Sequence, residues 1–204
     1  MEMLLLDLSK KEFYWNYIKR AANALKKGEL VAFPTETVYG LGAHLNDAKA
    51  IERIYEVKGR PEDKKLTLMI ADREDVKKYV KCISRTATKL MDFFWPGPLA
   101  IIFPTNDDTD ISIRLPDNEI ARNLIRTAEI PVATTSANVS GHPASVNAQQ
   151  VLKELEGKIN IILDGGSTRF QSPSTMVKPD DGIVKIIRQG IISETAIWSC
   201  LNTK

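Results

Sequence analysis

The sequence predicts a layered α/β domain, and three observations predict it. Apolar stretches of helical period alternate with short, uniformly apolar runs along most of the 204 residues. The chain is 43% apolar and 26% charged, which is ordinary globular composition. No Gly/Ser-rich or Pro-rich linker, repeat or low-complexity tract divides it, so one domain over residues 1–204 is expected. A chain of this length buries roughly 70% of the surface its unfolded form exposes, which excludes disorder and small stapled scaffolds.

Taken in order, Met1 to Asp7 reads as a first strand: it is too short for a signal-peptide core and carries Glu2 and Asp7. Ser9-Lys10-Lys11-Glu12 has the capping-box pattern, and Trp15, Ile18, Ala22 and Leu25 follow at helical spacing until Gly28, predicting a helix over 10–27. Leu30 to Phe33, ended by Pro34, reads as a strand covered on both faces. Further helices are expected over 47–57, 73–80, 84–94, 118–128 and 147–156. Strands are expected at Leu66 to Ile70, Leu99 to Phe103, Ile111 to Leu115, Val132 to Thr134 and Ile159 to Leu163. After Gly165-Gly166-Ser167 and a polar loop, strands are expected at Ser174 to Val177 and Ile183 to Arg188, with a last helix after Ser193.

Composition also bounds function. Lys and Arg number 28 against 26 Asp and Glu, and a net charge of +2 excludes a histone-like or tail-driven nucleic-acid binder while permitting a local basic patch. Cys82 and Cys200 lie far apart with no Cys/His cluster, as two reduced thiols of a cytosolic protein do; no disulfide framework or zinc site is indicated. No run approaches the roughly 18 apolar residues that cross a bilayer, so a soluble cytoplasmic protein without membrane partners is expected.

Four segments interrupt the scaffold where polar residues meet small or rigid ones. Pro34-Thr35-Glu36-Thr37-Val38-Tyr39-Gly40-Leu41-Gly42 follows a buried strand, where α/β proteins place ligand loops; it lacks the Walker and dinucleotide patterns and also reads as a tight, Thr-rich turn. Lys58-Gly59-Arg60-Pro61-Glu62-Asp63-Lys64-Lys65 carries four cations in eight residues, suited to a triphosphate clamp or to a solvated basic loop. Thr134 to Gly141, again after a strand, offers hydroxyls and an amide that can line a pocket without filling it. His44 and His142 form no triad or metal pattern, so serine nucleophilic catalysis is not expected. Ser174-Thr175 and two Arg at strand ends, Arg114 and Arg188, complete the set. Together the segments supply many oxyanion donors and no obvious acid/base pair, an inventory that suits nucleotidyl or phosphoryl transfer by positioning and charge neutralisation.

In combination PTETVYGLG at 34–42, KGRP at 58–61, FWPGPL at 94–99, RLP at 114–116, TSANVSG at 135–141, LDGG at 163–166, ST at 174–175 and IRQG at 187–190 resemble the YrdC-like family, in the family's order over nearly the whole chain. The resemblance implies an open twisted sheet flanked by helices, with a basic concave surface. It also implies an enzyme that joins L-threonine, bicarbonate or CO2, and ATP into threonylcarbamoyl-AMP and pyrophosphate, for transfer-RNA modification by downstream threonylcarbamoyl transferase machinery.

By position, Lys58, Arg60, Ser136 and Asn138 match the family's reaction-centre pairs. Thr37, Arg114, Ser136 and Ser174 match the L-threonine contacts; Lys58, Arg60, Lys64, Asn138, Ser145 and Arg188 match the ATP contacts. No carboxylate cage for a metal is evident, so Mg2+ is expected to ride mainly on the ATP phosphates. Lys65, Gln189 and Met69 depart from the residues common in relatives and bear on pocket shape.

Two alternatives stand beside this. The concave surface could hold structured RNA as an accessory module without adenylate-forming activity. A carbamoyl-phosphate-using relative would need zinc-finger and acyl-phosphatase modules, for which this sequence has no room. Ending at Lys204, the chain is expected to be a stand-alone short form.

Overall fold

In the computed structural model, which describes residues 3–180 and 182–202, ten strands form one mixed sheet in the order β1-β8-β2-β3-β7-β4-β6-β5-β9-β10. The strands are β1 (Leu4–Asp7), β2 (Val31–Phe33), β3 (Gly40–His44), β4 (Thr67–Met69), β5 (Leu99–Pro104), β6 (Asp110–Arg114), β7 (Val132–Ser136), β8 (Ile161–Asp164), β9 (Thr175–Asp180) and β10 (Ile183–Arg188). The helices are α1 (Tyr14–Lys26), α2 (Ala48–Lys58), α3 (Arg85–Phe94), α4 (Glu119–Ala128), α5 (Ala148–Leu155) and α6 (Glu194–Asn202). Met1 and Glu2, part of the expected first strand, lie outside the described residues.

Alternation along the strands sorts the core onto two faces. Val31, Phe33, Ile161 and Leu163 pack with α1 and α4, while the intervening Ala32 and Ile162 pack with α2 and α5. Farther along the sheet Leu68, Ile101, Ile113 and Val177 pack with α3 and α6. Val31, Ala32 and Phe33 are all fully buried, as a strand covered on both faces requires.

Three local expectations are corrected. The capping box does not form: the Ser9 hydroxyl donates to Asp7, Lys11–Phe13 makes a 3₁₀ turn, and α1 begins at Tyr14 without a side-chain cap. The pattern over 73–80 is a 3₁₀ helix, Arg73–Lys78, rather than an α-helix. β3 was not expected, because Gly-Leu-Gly-Ala-His has little strand propensity. Its glycines make room for a ring: a Cβ on Gly42 would lie 2.9 Å from Phe33 and 3.1 Å from Val132. β3 nevertheless pairs with both β2 and β7, joining two regions of the sheet.

Candidate active site

On the face that α1 and α4 cover over β1, β8 and β2, the sheet continues into a cleft of about 170 Å3. Registration explains how distant residues meet there. Gly40 pairs with Ser136, Thr67 with both Thr134 and Ser112, Met69 with Arg114, and Met176 with Arg188. Around these strand residues the loops add Thr35, Tyr39, Arg60, Lys65, Pro173 and Ser174. Four cations, Arg60, Lys65, Arg114 and Arg188, line the cleft, and no carboxylate does.

Arg114 closes strand β6 and is almost fully buried. Its Nε donates to the Gly97 carbonyl (3.2 Å), and its Nη2 to Glu36 Oε1 (2.7 Å) and Thr37 Oγ1 (2.8 Å). Truncating either ion-pair partner would leave a buried charge uncompensated. Thr37 is itself buried and shares a hydrogen bond with Thr35 (2.9 Å), so it stands behind Arg114 rather than in the cleft.

Arg188 is held by Ser174, donating to its carbonyl through Nε (3.1 Å) and Nη2 (2.9 Å) and to its hydroxyl through Nη2 (3.0 Å). The residue is exposed overall, with its guanidinium bonded to Ser174 at the cleft. Protein around it lowers its pKa from the ordinary value by desolvation, and the Arg114 and Arg60 guanidiniums add to the effect. Arg60 follows the left-handed Gly59 that ends α2, and its guanidinium donates to the carbonyls of Lys64 (2.9 Å) and Lys65 (3.0 Å). Desolvation also lowers the Arg60 pKa. Three guanidiniums from separate elements thus face one space with neighbouring like charge, an arrangement that an anion relieves.

The loop after β7 is fixed from beneath. Lys58, the last residue of α2, is buried, and its Nζ donates to the carbonyls of Ser136 (2.5 Å) and Asn138. Burial and then the Arg60 charge push Lys58 down to about 8, with Glu154 opposing. Asn138 Nδ2 donates to the Val139 (2.8 Å) and His142 (2.9 Å) carbonyls, leaving its buried Oδ1 without a partner. The Ser145 hydroxyl donates to the Ala137 carbonyl (2.8 Å). Tyr39 OH donates to the Gly166 carbonyl (2.8 Å) and accepts from Gly165 N (3.2 Å), tying the glycine turn after β8 to the first loop; burial raises its pKa.

Of the residues expected from sequence, Arg60, Arg114, Ser136, Ser174 and Arg188 line one cleft. Thr37, Lys58, Asn138 and Ser145 lie behind it, holding the groups that do. Lys64 is exposed and does not line it; its neighbour Lys65, one of the four cations of the same segment but not among the residues matched to the ATP contacts, does. Thr134 and Thr135, from the segment expected to line a pocket, do so; Thr67 and Met176 were not singled out, because alternating strand residues carry no local signal of which face stays open. Among the described residues no three His, Cys, Asp or Glu side chains cluster as metal ligands, and no described helix is long and apolar enough to cross a membrane.

Known proteins resemble this chain in sequence and in fold. A threonylcarbamoyl-AMP synthase of Pyrococcus abyssi is 42% identical over 183 residues, covering 85% of this chain and 54% of its own length. One of Bacillus subtilis is 40% identical over 190 residues, covering 88% and 55%. The chain therefore spans about half the length of these curated relatives. The crystal structure of P. abyssi Sua5 complexed with L-threonine superposes with a TM-score of 0.90 at 36% identity, over 99% of this chain and 61% of that one. The Sua5/YciO/YrdC family model, described as telomere recombination, matches residues 23–190, and the chain belongs to that family.

Proposed function

We propose that the protein makes threonylcarbamoyl-AMP and pyrophosphate from L-threonine, bicarbonate or CO2, and ATP. The observation that carries this reading is the convergence of Arg60, Arg114 and Arg188 with Lys65 on a small cleft whose lining holds hydroxyls and no carboxylate. Relatives 42% and 40% identical carry that activity in their names, and a relative at 36% identity is complexed with L-threonine in its crystal structure.

In this reading Arg114 receives the threonine carboxylate. Its Nη2 is occupied by Glu36 and Thr37 and its Nε by Gly97, so Nη1 remains for the ligand. Ser136 and Ser174 face the polar groups of the amino acid, and Met69 and Met176 supply apolar wall. The threonine amine takes up CO2 and loses a proton to become a carbamate. A carbamate oxygen then attacks the α-phosphorus of ATP, and the bond to the bridging oxygen breaks to release pyrophosphate.

Attacker and phosphate are both anionic, and Arg60, Arg188 and Lys65 offset that repulsion in a partly desolvated cleft. The cleft lining supplies no carboxylate ligand for Mg2+, so a magnesium ion would be held by the ATP phosphates and water. The product passes to a downstream transferase acting on transfer RNA in the cytoplasm.

The test is pyrophosphate release from ATP with threonine and bicarbonate omitted in turn. Release that requires both supports the reading; release unaffected by omitting threonine overturns it. Salt-dependent RNA binding with no threonine-dependent ATP consumption would instead favour the accessory-module alternative.

A further inference from the structure

Glu154 lies on α5, outside every motif that marks the cleft, and sits in the last turn, where the helix dipole disfavours a carboxylate. A residue that contradicts its local setting calls for a compensating contact. Glu154 has two: Oε2 accepts the backbone N–H of Val139 (3.1 Å) and lies 2.9 Å from His142 Nδ1. Val139 follows Asn138 in the loop after β7. Val151 and Leu155 are fully buried in the core and fix the helix that presents Glu154.

The same loop is gripped from its other side by Lys58. Its Nζ holds the Ser136 and Asn138 carbonyls, and its own carbonyl accepts Ser140 N–H (2.8 Å). Residues 136–140 are therefore held between one cation from α2 and one anion from α5. The remaining contacts are neutral: Ala137 N donates to the Tyr39 carbonyl (2.9 Å), and the Ser145 hydroxyl donates to the Ala137 carbonyl (2.8 Å). Ser136 lines the cleft at the start of this loop, so displacement of the loop displaces a lining residue.

We infer that Glu154 is a positioning residue for the reaction: it anchors the loop bearing Ser136 and Asn138 through Val139 N–H. The inference rests on the proposed function for its kinetic consequence and on geometry alone for the anchoring. Charged groups bearing on the pair are Arg60 for Lys58, and His142 and Lys153 for Glu154. Glu154 opposes the depression of the Lys58 pKa, and the Val139 N–H is the largest cause of its own lowered pKa.

The experiment has two arms, using the full chain. Amide hydrogen exchange without substrate compares wild type with Glu154→Ala. Exchange at Val139 is expected to accelerate about 10-fold or more, with melting temperature nearly unchanged; unchanged protection at Val139 overturns the anchoring. Kinetics with threonine, bicarbonate and ATP form the second arm. Glu154→Ala is expected to lower kcat on the order of 10- to 100-fold with little change in the threonine KM. Glu154→Gln retains an acceptor for Val139 and should recover most of that loss. A helix-stabilising role alone would lower the melting temperature without this split between kcat and KM or its rescue by Gln, and full turnover in Glu154→Ala overturns the inference. Wild type inactive with threonine would defeat the proposed function, and the exchange arm would then decide the anchoring by itself.

Discussion

Arg114 and Lys58 show how two buried cations are assigned different work by their surroundings. Both are almost fully buried cations, yet Arg114 keeps one nitrogen toward the cleft while Lys58 gives its ammonium to backbone carbonyls. Arg114→Lys keeps a charge beside Glu36 but loses the planar fork; the threonine KM should rise on the order of 10- to 100-fold while the ATP KM changes little, as initial-rate kinetics would show. Lys58 leads to a stability prediction with a definite sign. Its pKa falls from 10.5 to about 8 on folding, so between those values the unfolded chain binds more protons and stability rises with pH. Denaturant titrations from pH 8 to 10 should therefore show wild type gaining stability that Lys58→Met does not gain. A parallel dependence in the two proteins would contradict the buried charge.

Elements bring these side chains together through a few exacting junctions. Gly59 takes φ 56° to end α2, with the Gly59 and Arg60 amides donating to the Glu56 and Tyr55 carbonyls, and so turns the chain toward the cleft. Gly59→Ala meets no atom within 4 Å and should cost only the left-handed strain, about 1 to 2 kcal/mol by thermal melting. Gly190 is constrained differently: a Cβ there would lie 2.4 Å from the Pro173 carbonyl oxygen. Gly190→Ala must push Pro173 and Ser174 away and with them the Arg188 guanidinium, so both stability, by about 1 to 3 kcal/mol, and ATP affinity should fall. Helices and most strands were legible because burial imposes periods of 3.6 and 2. β3 was not, since its glycines serve the Phe33 ring opposite and carry no strand signal of their own.

For the molecule as a whole, a net charge of +2 coexists with a cleft lined by four cations and no carboxylate. Acidic side chains elsewhere neutralise the total without entering that space, as the exposed pairs Lys26–Glu129 and Arg169–Asp117 illustrate. Ligand linkage follows. ATP at about 100-fold its Kd should stabilise the protein by roughly 2.7 kcal/mol, and the gain should shrink with added salt and be lost in Arg188→Met. Differential scanning fluorimetry with and without threonine checks this; an equal ATP response in wild type and Arg188→Met would remove Arg188 from the nucleotide site.

By itself the sequence determined the α/β class, the approximate span of nearly every element, and the segments that carry the chemistry, because apolar period, turn residues and clustered polar residues are local properties of the chain. Only the tertiary structure decided which of those polar residues line the cleft. Arg114 and Arg188 meet because β6, β5, β9 and β10 lie side by side in a sheet whose order departs from chain order, and the loop after α2 brings Arg60 to them. Lys58 and Asn138, alike in type to residues of the cleft, are drawn beneath it because buried backbone carbonyls must find donors, and that demand is visible only once the loop is folded.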